Sequence, residues 1–170
     1  MEIKITLKSG KEQSVKRLHP WIFSGAIKKI SGTPAEGDIV KVFDNNNNFL
    51  AVGHYQPGSI AVRILSFTDI EPDVGFFRQT IERAFEFRKA AGLTGNHKLN
   101  VFRLIHGEGD GLPGLVADYY NGVIVMQTHS VGMYRIRREL AGILSGLPHL
   151  KISAVYDKSG STIPFMSGIR

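Results

Sequence analysis

The sequence predicts an α+β protein in which a small β-barrel precedes a small α/β unit. Residues 1–67 consist of short stretches in which apolar and polar residues alternate, as in half-buried strands of a small barrel. Residues 73–170 combine two segments of helical periodicity with four strand-like stretches. An acidic segment containing Pro72 separates these parts, so we expect two domains, 1–67 and 73–170.

The strands of the first domain follow from alternation and from turn residues. Ile3, Ile5 and Leu7 alternate with polar residues and predict the first strand. Asparagine tolerates left-handed backbone, so the Asn45–Asn48 run predicts a hairpin turn. Pro57-Gly58 predicts another turn. The remaining predicted strands are Ile39–Phe43, Phe49–Tyr55 and Ile60–Phe67.

The second domain begins with a helix that Asp73 can cap and that Gly92 ends. Its inward positions are Phe77, Ile81, Ala84, Phe85 and Ala91. A second helix is predicted over Gly132–Leu144. Asn121-Gly122 is a strong hairpin signal between two of the strands. The predicted strands are Val101–Ile105, Leu115–Tyr120, Val123–Thr128 and Ile152–Tyr156.

Composition excludes several classes of protein. The 170 residues are 42% hydrophobic and 21% charged, which is typical of a globular chain and not of a disordered one. The absence of cysteine excludes a disulfide framework, a thiolate zinc site and a cysteine nucleophile. No apolar run approaches the ~20 residues of a membrane span, and the N-terminus lacks a signal-peptide core. We therefore expect a cytoplasmic protein with no membrane partner.

Positive charge is concentrated near the N-terminus. The net charge is +6, and residues 1–30 alone hold seven lysine or arginine residues against Glu2 and Glu12, a local excess of +5. A basic patch of this kind favours a polyanionic partner, most often nucleic acid. A lysine-rich solvated surface is the alternative.

The segment Arg17–Ile27, RLHPWIFSGAI, places the only tryptophan of the chain among basic residues, a histidine and a glycine. This combination suits RNA, which proteins bind by stacking on aromatic planes and by backbone contact. For Trp21 itself a place in the barrel core is the favoured interpretation, because large aromatic side chains dominate small cores. The candidate RNA-binding residues are Lys8, Lys11, Arg17, His19, Trp21, Ser24, Gly25 and Lys28.

The stretch Arg103–Tyr120 contains a glycine-rich loop together with the strand residues on either side of it. We call this stretch the central loop. Four glycines in eight residues indicate a backbone with φ > 0, and two carboxylates lie at its tip. These acids either bind backbone N–H groups of their own turn or pair with an arginine across an interface with another domain. Arg103 is a further candidate for an ion pair with Glu108 or Asp110. The structural or interdomain residues are Arg103, Glu108, Asp110, Gly111, Pro113, Gly114 and Asp118.

Together, LHPWIFSGAI and GEGDGLPGLVADYY resemble the front half of the PUA-containing, S-adenosylmethionine-dependent large-subunit ribosomal RNA methyltransferases that act at cytosine-5. The resemblance covers essentially the whole chain. It implies a PUA-like β pseudo-barrel that binds RNA in 1–67 and a small α/β linking domain in 73–170. The family often has Asn-Ala-Glu where this chain has His106-Gly107-Glu108, which keeps the acid and changes the residues before it.

The resemblance also implies a Rossmann-like catalytic domain after Arg170. The cytosine-5 mechanism needs a thiolate, and this chain has no cysteine. Gly107–Gly111 is not expected to act as a dinucleotide loop, because a strand and not a helix follows Pro113. We therefore expect a fragment that binds ribosomal RNA and presents it to its own missing methyltransferase domain. S-adenosylmethionine is expected for the full-length parent, and no cofactor or metal for this chain.

Two other functions stay open at this point. The first is a stand-alone RNA-binding adaptor without catalysis. The second is a small hydrolase that combines Glu108 and Asp110 with a histidine. The hydrolase is disfavoured because no histidine pair has metal-ligand spacing. The histidines considered are His54, His97, His106, His129 and His149.

Overall fold

A computed structural model describes residues 2–95, 99–148 and 150–162. His97 and His149 of the hydrolase alternative lie outside the described residues. The chain separates into two compact units, Met1–Glu71 and Pro72–Arg170, which we call unit 1 and unit 2. The architecture is mixed α+β, with a curled sheet in unit 1 and a second sheet with helices in unit 2, which confirms the predicted fold class.

Unit 1 is a curled six-stranded sheet with the spatial order β2-β6-β5-β4-β1-β3. Only β1 and β4 pair in parallel, and the other neighbours are antiparallel. A short helix α1 joins β1 to β2, and a 3₁₀ turn at Ser24–Ala26 joins β2 to β3. The elements are β1 (Lys4–Leu7), α1 (Gln13–Lys16), β2 (Trp21–Phe23), β3 (Ile27–Ser31), β4 (Ile39–Phe43), β5 (Phe49–Tyr55) and β6 (Ile60–Ser66).

The core of unit 1 lies inside the curl of the sheet. Alternation along each strand sends one set of side chains inward, and α1 adds Val15 to that set. Burial of such side chains contributes roughly 1.5–3 kcal/mol each. The buried cluster comprises Ile5, Leu7, Val15, Ile22, Val40, Val42, Ala51, Val62 and Ile64.

Unit 2 packs helices against a four-stranded sheet with the order β10-β9-β8-β7. The strands β7, β8 and β9 form an antiparallel meander, and β10 adds in parallel to β9 after a helical crossover. None of the described helices is both long and apolar enough to span a lipid bilayer. The elements are α2 (Val74–Ala90), β7 (Val101–His106), β8 (Leu115–Tyr120), β9 (Val123–Thr128), α3 (Val131–Arg135), α4 (Arg137–Ser145) and β10 (Ala154–Asp157).

The first helix of unit 2 begins where the sequence indicates. Oδ1 of Asp73 accepts a hydrogen bond of 2.8 Å from the backbone N–H of Phe76, which confirms Asp73 as the N-cap of α2. The predicted inward residues Phe77, Ile81, Ala84 and Phe85 are buried, whereas the inward position of Ala91 is wrong, because Ala91 is the exposed C-cap of α2. A single helix over Gly132–Leu144 is wrong, because the chain leaves helical geometry at Ile136 (φ −99°, ψ 12°) and forms two helices.

The Arg17–Ile27 segment contains secondary structure that alternation did not predict. The strand β2 has only three residues, and β3 begins directly after the 3₁₀ turn that follows β2. The helix α1, which directly precedes this segment, has four residues and no side-chain cap. Elements of three or four residues contain too few periods for a hydrophobic pattern to be recognised.

Candidate nucleic-acid interface

An aromatic cluster lies on the outer side of β2. Ile22 points into the core with 2% of its surface exposed, so its neighbours Trp21 and Phe23 face the opposite way. The Trp21 and Phe23 rings meet edge to face, with centroids 6.5 Å apart and an interplanar angle of 89°. The centroid of the His19 imidazole lies 5.9 Å from the Trp21 ring centroid and 6.1 Å from the Phe23 ring centroid. These three rings form what we call the aromatic cluster.

The predicted core position of Trp21 is wrong, because the indole is half-buried outside the core cluster. Phe23 is 48% exposed, and His19 is exposed as well. The backbone N–H of Trp21 donates a hydrogen bond of 3.2 Å to Nδ1 of His19, which orients the imidazole beside the indole. The aromatic cluster therefore offers ring surface to solvent.

Arg63 is a member of this surface that the sequence analysis missed. It is the register partner of Trp21 between β6 and β2, and its guanidinium carbon lies 5.8 Å from the indole centroid. Its Nε donates a 3.1 Å hydrogen bond to Oε1 of Gln56. A single arginine in the otherwise apolar strand β6 was the available signal, but only strand pairing places it beside Trp21. The cluster thus combines aromatic planes with a guanidinium group, a combination that binds nucleobases.

Leu18 lies beside this surface in an unusual backbone conformation. It has φ +63° and is 65% exposed, although a left-handed leucine costs roughly 1–2 kcal/mol. Its N–H donates to the carbonyl of Val15 at the end of α1. This turn leads the chain from α1 into the His19-Pro20 step and then into β2.

The other predicted RNA-binding residues lie on the surface of unit 1 in separate small groups. The ammonium of Lys8 donates a 2.9 Å hydrogen bond to the carbonyl of Gly25 and so joins β1 to the 3₁₀ turn. The ammonium of Lys28 donates a 2.5 Å hydrogen bond to Oδ1 of Asn45, at the hairpin between β4 and β5. Lys11, Arg17 and Ser24 are exposed as well.

The β4–β5 hairpin, in which Asn45 accepts the hydrogen bond from Lys28, is stabilised by the carboxylate of Asp44. Oδ1 of Asp44 accepts from the backbone N–H groups of Asn46 and Asn48, each at 2.9 Å, and Oδ2 accepts from Nδ2 of Asn48 at 2.9 Å. The hydrogen bond from the Asn48 side chain is the main cause that lowers the pKa of Asp44 below its ordinary value. The ionised carboxylate therefore stabilises the turn that contains Asn45.

The stabilisation that Asp44 provides is expected to disappear at acid pH. A carboxyl group with a lowered pKa stabilises the fold above its unfolded-state pKa of roughly 3.9 and loses that effect as pH falls through the lower folded-state pKa. In thermal denaturation followed from pH 7 downwards, Asp44→Asn should melt below wild type near neutrality and approach it in acid. A gap of constant size across the whole pH range would contradict this.

In unit 2, the central loop is anchored by an ion pair with α2. Nη1 and Nη2 of Arg88 donate to Oδ1 and Oδ2 of Asp110 at 2.9 and 2.6 Å, and both side chains are only 9% exposed. Oδ2 also accepts from the backbone N–H of His106 at 2.6 Å. Nε of Arg88 donates to the carbonyl of Arg103 at 3.0 Å. Within unit 2, the Asp110 carboxylate thus forms an ion pair with an arginine and accepts a hydrogen bond from a backbone N–H of the central loop.

The remaining central-loop residues lie around this ion pair. Arg103 pairs with Asp118, with Nε–Oδ1 and Nη2–Oδ2 distances of 2.9 and 3.1 Å, and the pairing raises the pKa of Arg103. Gly111 and Gly114 have φ +72° and +83°, as the loop prediction requires, and Pro113 is buried. Glu108, half-buried, lies in the 3₁₀ turn Gly107–Asp110.

The histidines of the hydrolase alternative are dispersed. His54 is buried in β5 of unit 1, whereas His106 ends β7 and His129 follows β9 in unit 2. Over residues 2–95, 99–148 and 150–162, no group of three or more His, Asp or Glu side chains has a metal-binding arrangement. No described geometry supports the hydrolase.

Residues 5–67 match the family of PUA-like domains. Over 99% of its length the chain is 38% identical to the ribosomal RNA large subunit methyltransferase I of Pseudoalteromonas translucida and 34% identical to that of Escherichia coli. The Pseudoalteromonas atlantica protein of the same name is 37% identical. The chain spans 42% of the length of each of these relatives.

Two solved structures share the fold. A putative S-adenosylmethionine-dependent methyltransferase from Streptococcus mutans superposes with a TM-score of 0.79 at 18% identity, over 94% of this chain and 41% of the other. A putative methyltransferase complexed with S-adenosylhomocysteine superposes with a TM-score of 0.80 at 17% identity, over 100% and 43%. The folds of unit 1 and of unit 2 therefore have counterparts in longer proteins.

Proposed function

We propose that this chain is the RNA-recognition part of an S-adenosylmethionine-dependent ribosomal RNA methyltransferase that acts at cytosine-5 in the cytoplasm. The observation that carries RNA recognition is the aromatic cluster with Arg63 beside it on a PUA-like unit. The similarity to ribosomal RNA methyltransferases over nearly the whole chain supports ribosomal RNA as the ligand. Catalysis is assigned to a domain outside this chain.

In this proposal the two kinds of side chain in unit 1 have different roles. The rings of Trp21 and Phe23 stack on unpaired bases, which is worth roughly 1–3 kcal/mol per base. The cations Lys8, Arg17 and Lys28 contact phosphates, which gives affinity without sequence information. Together they position the RNA strand, while chemistry on the base takes place elsewhere.

The central loop of this chain does not fit the adenosyl cofactor in the manner of a nucleotide-binding loop. Such a loop runs from a strand into a helix whose N-terminus receives the ligand. Here the 3₁₀ turn Gly107–Asp110 leads through Pro113 into β8. We assign S-adenosylmethionine to the catalytic domain of the full-length parent.

The proposal is tested by titrating fragments of large-subunit ribosomal RNA against this chain at several salt concentrations. Trp21 is the only tryptophan, so its fluorescence reports binding at the aromatic cluster directly. We expect quenching with a Kd of roughly 10⁻⁴–10⁻⁶ M near physiological salt. The variant with both Arg17→Ala and Lys28→Ala should reduce the slope of log K against log salt by about 2.

The control removes two exposed charges from unit 2, Arg138→Ala with Lys151→Ala, and should leave the slope unchanged. Absence of binding by wild type at low salt would overturn the proposal. Binding that shows the same salt slope in the Arg17/Lys28 variant as in wild type would exclude this basic surface as the phosphate contact. Quenching by tRNA or random RNA equal to that by ribosomal RNA would favour a general RNA-binding adaptor.

A further inference from the structure

Unit 2 has an exposed aromatic ring that the proposed function does not use. Phe87 on α2 is 66% exposed, whereas Phe77, Ile81 and Phe85 of the same helix are buried. The guanidinium carbon of Arg88 lies 5.4 Å from the Phe87 ring centroid. A large ring that is left largely open beside a cation offers a stacking surface.

Two concave pockets meet at Phe87. The first, of about 330 Å³, is also lined by Arg83 and the glycines of the central loop. The second, of about 360 Å³, is also lined by Leu93, Arg103 and His106. Both are lined by Phe87, Gly109 and Asp110, so the two pockets adjoin, and we call them together the Phe87 groove.

The Phe87 groove is positively charged. Its lining contains the guanidinium groups of Arg83, Arg88 and Arg103 and the carboxylate of Asp110; with the Asp118 carboxylate that pairs with Arg103, these groups carry a net charge of +1. Arg88 neutralises Asp110, and Arg103 pairs with Asp118 at the edge of the groove. Arg83 forms no hydrogen bond or ion pair within the described parts of the chain. Its full charge is therefore available to a ligand.

Arg83 and Phe87 are close enough on α2 to contact one ligand. They are four residues apart on α2 and lie on the same face, where such residues are neighbours. A base stacked on the Phe87 ring would place the adjoining phosphate within reach of a guanidinium one helical turn away. Gly109, which is exposed and has no side chain, leaves the loop wall of the groove open to a strand.

We infer that the Phe87 groove is a second RNA contact, which stacks an unpaired nucleotide on Phe87 and holds a phosphate with Arg83. This inference rests on the proposed function, because the ligand is taken to be the same RNA. The charge of Arg83, which no described carboxylate compensates, beside an aromatic ring favours a nucleic acid over a protein surface. The RNA footprint then includes unit 2 as well as unit 1.

The test measures binding of single-stranded oligoadenylate and of a ribosomal RNA fragment to the full 170-residue chain. Phe87→Ala should weaken binding of both by about tenfold, because one stacked base is lost. Phe87→Tyr should restore most of it, since the ring plane is kept. Arg83→Ala should lower the salt slope by about 1. Both changes are at exposed positions, so the melting temperature should not move.

Two substitutions on the same helix serve as matched controls. Arg78→Ala removes one exposed arginine outside the groove, and Val74→Ala trims an exposed apolar side chain; neither should change affinity or slope. Wild-type affinity and slope in Phe87→Ala and Arg83→Ala, together with a weakened Arg17/Lys28 variant, would overturn the second contact and leave the proposed function standing. Failure of wild type to bind either RNA would overturn both.

Discussion

Replacing Arg88 with alanine is expected to lower the free energy of unfolding of unit 2 by about 3–5 kcal/mol. The guanidinium and the Asp110 carboxylate are each 9% exposed and are joined by two hydrogen bonds of 2.9 and 2.6 Å. Removing one partner leaves the other charge buried without compensation, which costs more than the intact pair contributes. The hydrogen bond from Nε to the carbonyl of Arg103 is lost as well.

The measurement is urea denaturation of wild type and variants followed by far-UV circular dichroism. Lys89→Ala is the matched control, because it removes the next cation along α2 from an exposed pair with Glu86 that is worth 0–1 kcal/mol. Asp110→Ala should cost about as much as Arg88→Ala, and the double variant less than the sum of the two. An additive double variant, or a loss below about 1 kcal/mol, would contradict the role assigned to the pair.

This prediction bears on the two hypotheses for the acids of the central loop. Asp110 uses both oxygens within unit 2, on Arg88 and on the N–H of His106, so its observed contacts are those of a loop anchor. Because Arg88 and Asp110 also line the Phe87 groove, the same pair sets the distance between α2 and the loop wall. Glu108 stays a candidate for an interdomain contact.

The predicted strands β4, β5, β8 and β9 agree with the structure because each contains at least five residues of regular pattern beside a clear turn signal. The ion pair between Arg88 and Asp110 could not be predicted from such patterns. Arg88 and Asp110 are 22 residues apart in the sequence. Only packing of α2 against the central loop brings the two charges together, and no periodicity in the sequence carries that information.

The position of Trp21 illustrates the limit of composition as a guide. Size and hydrophobicity favour a buried tryptophan, but Ile22 occupies the inward position and strand alternation then sends Trp21 outward. A strand of three residues after His19-Pro20 left too little pattern to recognise this. Arg63 was missed for a related reason, because its closeness to Trp21 depends on the β2–β6 register.

Gly53 is another residue whose importance appears only in three dimensions, and Gly53→Ala is expected to destabilise unit 1 by about 3 kcal/mol or more. The sequence places it within a strand and gives it no special role. In the structure, a Cβ at this position would lie 2.3 Å from the carbonyl oxygen and 2.9 Å from the carbonyl carbon of Arg63. These are backbone atoms of the neighbouring strand, so β5 and β6 would have to separate to relieve the overlap.

Trp21 makes this loss measurable in unit 1 alone, because β2 pairs with β6 and the single indole reports that edge of the sheet. In urea denaturation followed by Trp21 fluorescence, the Gly53→Ala midpoint should fall well below wild type. Gly25→Ala is the control for stability, since nothing lies within 4 Å of a Cβ added there, and its free energy of unfolding should stay within about 0.5 kcal/mol of wild type. Equal midpoints for the two variants would show that β5 and β6 can move apart at little cost. Arg63 would then not be held rigidly beside Trp21, and the aromatic cluster would be a looser surface than its ring geometry indicates.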